Sequence, residues 1–323
     1  MGLVEKRVLV TGGAGFIGSR LVERLVERKN EVYVLDNLSS GFDSNITKNE
    51  SVSLYVGDVR NKKIVDSLVK ECDIIFHLAE YIPNTANFGC GHVVKYSVDN
   101  PLLEFDVSCR GTLTVLESAR HFSRKFIFTS TAAVYGETQV PYISENHSTL
   151  PISPYGASKL CAETYVQLYQ RIYGIPTSIL RLFNVYGPKQ RKYVMYDILR
   201  KLAINSNELQ ILGTGDEERD YIFVDDAIEA IFLVAETENA VGEVFNVGTG
   251  KPTSSRILMK LLLDALDIEP KLIFTNSSWK GNVTRLCANT SKLQKLGFAC
   301  KHQLGSGIQK MVDWFTSEEK MRF

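Results

Sequence analysis

Val8-Leu9-Val10-Thr11-Gly12-Gly13-Ala14-Gly15-Phe16-Ile17-Gly18 decides the fold of this chain. The apolar run reads as a buried strand, and a helical pattern begins near Phe16. Between them the glycines fall in the order that a dinucleotide pyrophosphate site requires. Gly12 takes the tight turn, Gly15 leaves the backbone open to phosphate oxygens, and Gly18 lets helix and strand pack closely. The helix start offers unpaired N–H groups and a positive dipole end to an anion. The next strand pattern, Glu31-Val32-Tyr33-Val34-Leu35, ends at Asp36. A carboxylate there accepts hydrogen bonds from the adenosine ribose and repels a 2′-phosphate, which favours NAD over NADP.

Strand and helix patterns alternate outward from this unit. Apolar strands are expected at Ser53–Val56, Ile74–Phe76, Lys125–Ser130 and Thr177–Arg181, with long helices over 101–120 and 156–173. Short continuous apolar runs of this kind are parallel strands covered on both faces. The expected class is therefore α/β, a doubly wound parallel sheet. The pattern loosens after Pro188 and returns to strand, helix and strand over 222–247. We read 1–184, with 222–247 returning to it, as the NAD-binding domain. A smaller interleaved α/β domain of 185–221 and 248–323 is left for substrate.

The bulk properties narrow the partners. With 37 basic and 37 acidic residues among 323, net charge is zero, which disfavours nucleic acid or an anionic membrane as a partner. No apolar run is long enough to span a bilayer. The first strand begins within a few residues of Met1, leaving no room for a signal peptide, so a cytoplasmic protein is expected. Six cysteines lack Cys-x-x-Cys spacing and the five histidines form no paired motif, so reduced thiols and no metal are expected.

Tyr155-Gly156-Ala157-Ser158-Lys159 sets a phenol and an amine one helical turn apart on one face, after a Ser153-Pro154 helix start. A nearby ammonium favours phenolate and is expected to draw the Tyr155 pKa down toward neutrality. Such a phenol can take a proton from an alcohol and return it to a ketone. Thr131, at the tip of the 125–130 strand, is placed to supply a third polar group.

With these pieces the chain resembles the extended short-chain dehydrogenase/reductases that act on nucleotide sugars, the epimerase/dehydratase group with its Rossmann sheet. The resemblance runs through Thr11–Gly18, Asp36-Asn37, Gly57-Asp58-Val59, His77-Leu78-Ala79, Thr129–Gly136, Tyr155–Lys159, Arg181–Pro188, Arg219–Asp226 and Phe245–Gly248. It implies that Gly12, Gly15, Phe16, Ile17, Gly18, Asp36, Asn37, Asp58, Val59, Leu78 and Ala79 line the NAD site, with Tyr155 and Lys159 at the nicotinamide ribose. Tyr155 is implied as acid/base, Lys159 as its tuner, and Thr131 as the partner of the reacting hydroxyl. Asn184 and Arg219 are implied at the substrate pyrophosphate, with Tyr221 stacking or packing nearby. Relatives pair the helices corresponding to 101–120 and 156–173 into a homodimer. Leu102, Leu103, Phe105, Val107, Val166, Leu168, Tyr169 and Ile172 are the apolar residues expected to serve that purpose here.

All such enzymes oxidise C4 of the hexose, and the outcome depends on further groups. Relatives that eliminate water carry acids directly after the Ser/Thr, whereas this chain has Ala132-Ala133. A methyl group shuttles no protons, so 4-epimerisation of a nucleotide hexose, on family frequency a UDP-hexose, is the leading expectation. A 4-dehydrogenase or 4,6-dehydratase is the alternative. The chain also departs from the family pattern. Glu80 stands where an alanine is usual, and a long polar segment runs from Tyr81 to about His92. Ser108 replaces an asparagine, and Trp279-Lys280-Gly281-Asn282 replaces Arg-x-Gly-Asp. Glu80 touches the sugar or is a solvated loop carboxylate. Asn282 and Arg285 are the expected ribose and phosphate contacts.

Overall fold

A computed structural model describes residues 2–81, 93–277 and 283–319. The first half runs β1 (Arg7–Thr11), α1 (Phe16–Glu27), β2 (Glu31–Asp36), β3 (Val52–Val56), α2 (Lys62–Glu71) and β4 (Ile74–His77). After the gap in description come α3 (Val93–Asp99), α4 (Pro101–Phe105), α5 (Gly111–His121), β5 (Lys125–Thr131), α6 (Pro154–Tyr173) and β6 (Thr177–Leu182). The remainder comprises β7 (Asn184–Tyr186), α7 (Tyr193–Ile204), β8 (Glu208–Ile211), β9 (Glu218–Phe223), α8 (Val224–Glu236) and β10 (Val244–Val247). It closes with β11 (Pro252–Ser254), α9 (Ser255–Leu266), β12 (Lys271–Phe274), β13 (Arg285–Leu286), α10 (Ser291–Lys295) and α11 (Leu304–Glu318).

Seven strands form one parallel sheet in the order β10-β6-β5-β4-β1-β2-β3. The chain winds outward from β1 through β2 to β3, then returns to the other side of β1 at β4. A crevice opens beyond the carboxyl ends of β1 and β4, where the winding reverses. The sheet is apolar through its middle: Val8, Leu9 and Val10 of β1 and Ile75 and Phe76 of β4 are fully buried. Each such side chain contributes roughly 1.5–3 kcal/mol by leaving water. Helix α1 turns Leu21, Val22 and Leu25 onto this sheet. Arg20, Arg24 and Arg28 on its other side pair with Asp225, Glu229 and Glu236 of α8.

A smaller set of strands lies beyond. Strand β9 pairs with β7, β11 and β13, and β8 with β12. Strand β10 rejoins the large sheet beside β6, as the return of the 222–247 pattern led us to expect. Among the described residues no helix is long and apolar enough to cross a membrane.

One expected element takes a different form. The helix over 101–120 is α4 and α5 joined by a wider turn, Asp106–Arg110. Arg60 grips Asp106 at this turn. Gly111 packs against Val59, where a β-carbon would lie 2.8 Å from the valine methyl. The apolar residues of these helices also divide. Leu102 is 84% exposed, and Leu103, Phe105, Leu168 and Ile172 also face outward, whereas Val107, Val166 and Tyr169 belong to the core.

The tightest joint is between α1 and the glycine turn. A β-carbon on Gly18 would lie 2.1 Å from the Gly12 carbonyl oxygen and 2.8 Å from Gly13 Cα, both backbone atoms. Gly18→Ala is expected to lower stability by about 1–3 kcal/mol, read as a fall in the urea midpoint. An unchanged midpoint would contradict this packing.

Candidate active site

The crevice is the mouth of a cleft of about 440 Å³ that runs from the glycine turn past the ends of β4 and β5 toward β9. Gly12 holds φ +71°, and its N–H donates to the Leu35 carbonyl at 2.9 Å. A β-carbon there would meet the Ala79 backbone at 2.8 Å, so only glycine lets β1 and β4 end this close together. Gly15 caps α1 with no side-chain bond, leaving the first turn's N–H groups facing the cleft. Asp36, at the tip of β2, accepts from Ala14 N at 3.0 Å and Leu38 N at 2.8 Å. Burial raises its pKa and these two bonds oppose the rise. This is a cradle suited to a dinucleotide: bare backbone where phosphates sit and a fixed carboxylate where a ribose sits.

Phe16, Ile17, Gly18, Asn37, Val59, Leu78 and Ala79 line the same cleft. Asp58 does not. Its carboxylate is held by Arg60 at 2.7 Å and by the Asn37 amide at 3.3 Å, and these partners keep its pKa below the usual range. Asp58 therefore supports Asn37 rather than forming the wall itself.

The acid–base group is assembled from three strand and helix ends. Ser153 Oγ accepts from Gly156 N at 3.1 Å and Pro154 occupies the first turn, so α6 begins where Tyr155 meets the cleft. One turn on, Lys159 is 2% exposed, with Nζ donating to the Thr129 carbonyl at 2.8 Å. Thr131 ends β5 and its Oγ accepts from Ala133 N at 3.2 Å. Strand β4 pairs in register beside β5, so the residues after His77 emerge next to Thr131. That register delivers Glu80. Its Oε2 accepts from Tyr155 Oη at 3.2 Å and lies 3.1 Å from Lys159 Nζ.

Glu80 reverses the expected tuning. Burial and the facing carboxylate push the Tyr155 phenol well above its ordinary value, and the Thr131 hydroxyl opposes this only in part. The charge of Lys159 is matched by Glu80 and is not left to draw the phenol down. Beneath them His77 is fully buried, with Nδ1 2.6 Å from Thr11 Oγ1 and Nε2 3.0 Å from Thr112 Oγ1. Burial, aided by Lys159, lowers its pKa to about 3, so it stays neutral and structural.

The substrate end is less uniform. Asn184, Arg219 and Tyr221 line the cleft. Asn184 Nδ2 donates to the Asp220 carbonyl at 3.2 Å. The Arg219 guanidinium is held by the carbonyls of Glu218 at 2.8 Å and Val283 at 2.5 Å. It does not pair with Asp216, which bonds Arg256 at 3.1 Å. Tyr221 packs edge-on against Tyr186, 6.5 Å between centroids. Arg285 turns from the cleft to Glu218 at 3.1 Å. Asn282 and the segment 82–92 lie outside the described residues.

Two wall residues were not singled out from the sequence. Lys192 and Tyr193 enter the cleft at the start of α7, Tyr193 with φ +70°. Burial lowers Lys192 to about 8 and raises Tyr193. The cationic run Lys189-Gln190-Arg191-Lys192 after Tyr186-Gly187-Pro188 was the available signal.

Behind Glu80 sits a second carboxylate. Glu104 is fully buried and neither oxygen has a hydrogen-bond partner. Burial, with Glu80 adding to it, raises its pKa to about 7 from 4.5. The folded state therefore holds this proton more tightly than the unfolded chain, and stability falls as pH rises from about 4.5 to 7. Glu104→Gln is expected to stabilise the protein at pH 8 by up to about 3 kcal/mol, with the gain fading toward pH 5. Urea unfolding at the two pH values reads this, and an equal gain at both would contradict it.

Comparison with known proteins agrees with this geometry. The family model described as GDP-mannose 4,6 dehydratase matches residues 9–311. The UDP-glucose 4-epimerase of Mycolicibacterium smegmatis is 34% identical over 97% of this chain and 100% of its own length. The dTDP-glucose 4,6-dehydratase of Streptomyces antibioticus is 30% identical over 95% of this chain and 92% of its own. The Thermus thermophilus UDP-glucose 4-epimerase, solved in complex with NAD, superposes with a TM-score of 0.84. It is 33% identical, covering 97% of this chain and 99% of that one.

Proposed function

The chain belongs to the nucleotide-sugar epimerase/dehydratase family of extended short-chain dehydrogenase/reductases, and from that premise we propose that it is an NAD-dependent 4-epimerase of a nucleotide hexose, most plainly a UDP-hexose. One observation carries the reading. Thr131 and Tyr155 meet in a cleft whose next wall residues are Ala132 and Ala133, which hold no proton for elimination across C5–C6.

The residues divide the work. The bare turn at Gly12, Gly15 and Gly18 and the α1 N-terminus bind the NAD pyrophosphate, Asp36 and Asn37 its adenosine ribose, and Val59, Leu78 and Ala79 its adenine side. NAD, once bound there, supplies the acceptor that takes the C4 hydrogen and gives it back. Tyr155 exchanges the hydroxyl proton, Thr131 orients that hydroxyl, and Lys159 holds the nicotinamide ribose and the phenol. Asn184 and Arg219 meet the substrate pyrophosphate, a forked contact suited to guanidinium. In this reading 185–221 and 248–323 form the nucleotide-sugar half. The outward apolar residues of α4 and α6 pair two copies into a homodimer.

A second reading, 4-dehydrogenation or 4,6-dehydration, draws on one feature: Glu80 brings a carboxylate into the cleft. Incubation with UDP-, GDP- and dTDP-hexoses, followed by NMR, separates them. Inversion at C4 alone is expected. A C6-methyl or vinylic signal would replace the reading with dehydration, and accumulating NADH would replace it with oxidation. Tyr155→Phe is expected to keep NAD and lose about 10²–10⁴-fold in turnover, and unchanged turnover would remove Tyr155 from its role. Leu102→Glu with Ile172→Glu is expected to convert a sedimenting dimer to monomer, and a dimer that persists would place the interface elsewhere.

A further inference from the structure

The phenol of Tyr155 has one proton, and it already has a destination. Oη donates to Glu80 Oε2 at 3.2 Å, which leaves the lone pairs of the same oxygen to accept from a hydroxyl in the cleft. Glu80 is in turn fixed by Lys159 Nζ at 3.1 Å, and Lys159 by the Thr129 carbonyl at 2.8 Å. Donor, acceptor and counter-ion thus form a connected line from the cleft inward.

We infer that Glu80 is the proton terminus of this site: the sugar's C4 hydroxyl gives its proton to Tyr155 as the phenol's own proton passes to the Glu80 carboxylate. The inference rests on the C4 oxidation proposed above. Bond by bond, the sugar O4–H breaks and a new phenol O–H forms. The old phenol O–H breaks and a carboxyl O–H forms at Oε2. The C4–H electron pair leaves as hydride to the bound nicotinamide dinucleotide as C4=O forms. Reduction of the ketone runs the same line backward. No free phenolate is needed at any stage.

The surroundings favour this over a phenolate standing ready. Tyr155 is faced by Lys159 on its own helix, Thr131 from β5, Glu80 from the end of β4, Glu104 from α4 and Tyr193 from α7. Lys192 faces Glu80 from the start of α7, and His77 below is neutral. Burial and the carboxylates together raise the phenol well above its ordinary value. A phenol so placed is a poor base alone and a good relay when its proton moves on in the same step. The usual alanine at position 80 would leave no acceptor.

Glu80→Gln keeps the shape and removes the acceptor, and Glu80→Asp keeps the carboxylate. The NAD-loaded protein is mixed with UDP-galactose across a pH series, reading both the first NADH formed and the inverted sugar. Carboxyl and phenol ionise about six units apart in isolation, so a relay that loses its carboxylate must work from the phenol. The acid limb of Glu80→Gln is expected to move upward by more than about one pH unit, with Glu80→Asp returning it toward wild type. A limb that stays, or moves down as it would if Glu80 merely burdened the phenol, overturns the inference. An activity-free readout accompanies it. Tyrosinate absorbance of the ligand-free protein, with Tyr155→Phe subtracted, is expected to show Tyr155 ionising at lower pH in Glu80→Gln. Identical titrations overturn the contact. Melting temperature and NAD content, both expected to match wild type, establish that the variants fold. A wild type that forms neither NADH nor product with any nucleotide hexose overturns the oxidation reading and the relay together. A working wild type whose limb ignores Glu80 overturns the relay alone.

Discussion

Everything chemical in this protein depends on three polar groups meeting in a space that water does not fill. Tyr155, Lys159 and Glu80 come from two elements far apart in sequence, and each would be costly to bury alone. Together they satisfy one another: phenol to carboxylate, carboxylate to ammonium, ammonium to the β5 carbonyl at Thr129. The helix start at Ser153-Pro154 sets the depth of Tyr155. The pairing of β4 with β5 sets the place of Glu80. Moving either by one residue would strand a charge in the core.

The sheet makes this arrangement possible. Its winding reverses between β1 and β4, so the residues that follow both strands face one crevice. Gly12 lets the two strand ends approach, and Gly18 lets α1 press against the turn. The dinucleotide cradle and the acid–base group are thus neighbours because β1, β4 and β5 are neighbours. The distal half, built on β9 and its partners, brings Arg219 to the other end of the same cleft.

Much of this was legible in the sequence because it is local. The strand, glycines and helix start at Val8–Gly18, the carboxylate at Asp36, and the four-residue spacing of Tyr155 and Lys159 each lie within one or two turns or strands. Contacts between distant segments were not legible. Glu80 was visible as a departure from the family pattern, but its bond to Tyr155 follows from sheet register. The sequence therefore suggested a phenol drawn down by Lys159, whereas Glu80 and burial drive it up. Asp58 and Arg285 turn to Arg60 and Glu218, partners that spacing alone does not rank above a ligand. The wider turn at Asp106–Arg110 has no local sequence signature. The Arg60–Asp106 pair and the close approach of Gly111 to Val59 accompany it.

The central claim is that one carbon of a tethered hexose is oxidised and then reduced in place, with its hydrogen kept by the site throughout. A nucleotide hexose carrying deuterium at C4 tests this most directly, with the product examined by NMR. The account predicts that deuterium remains at C4 of the inverted sugar. Deuterium found at C6, or lost from the sugar altogether, would contradict it.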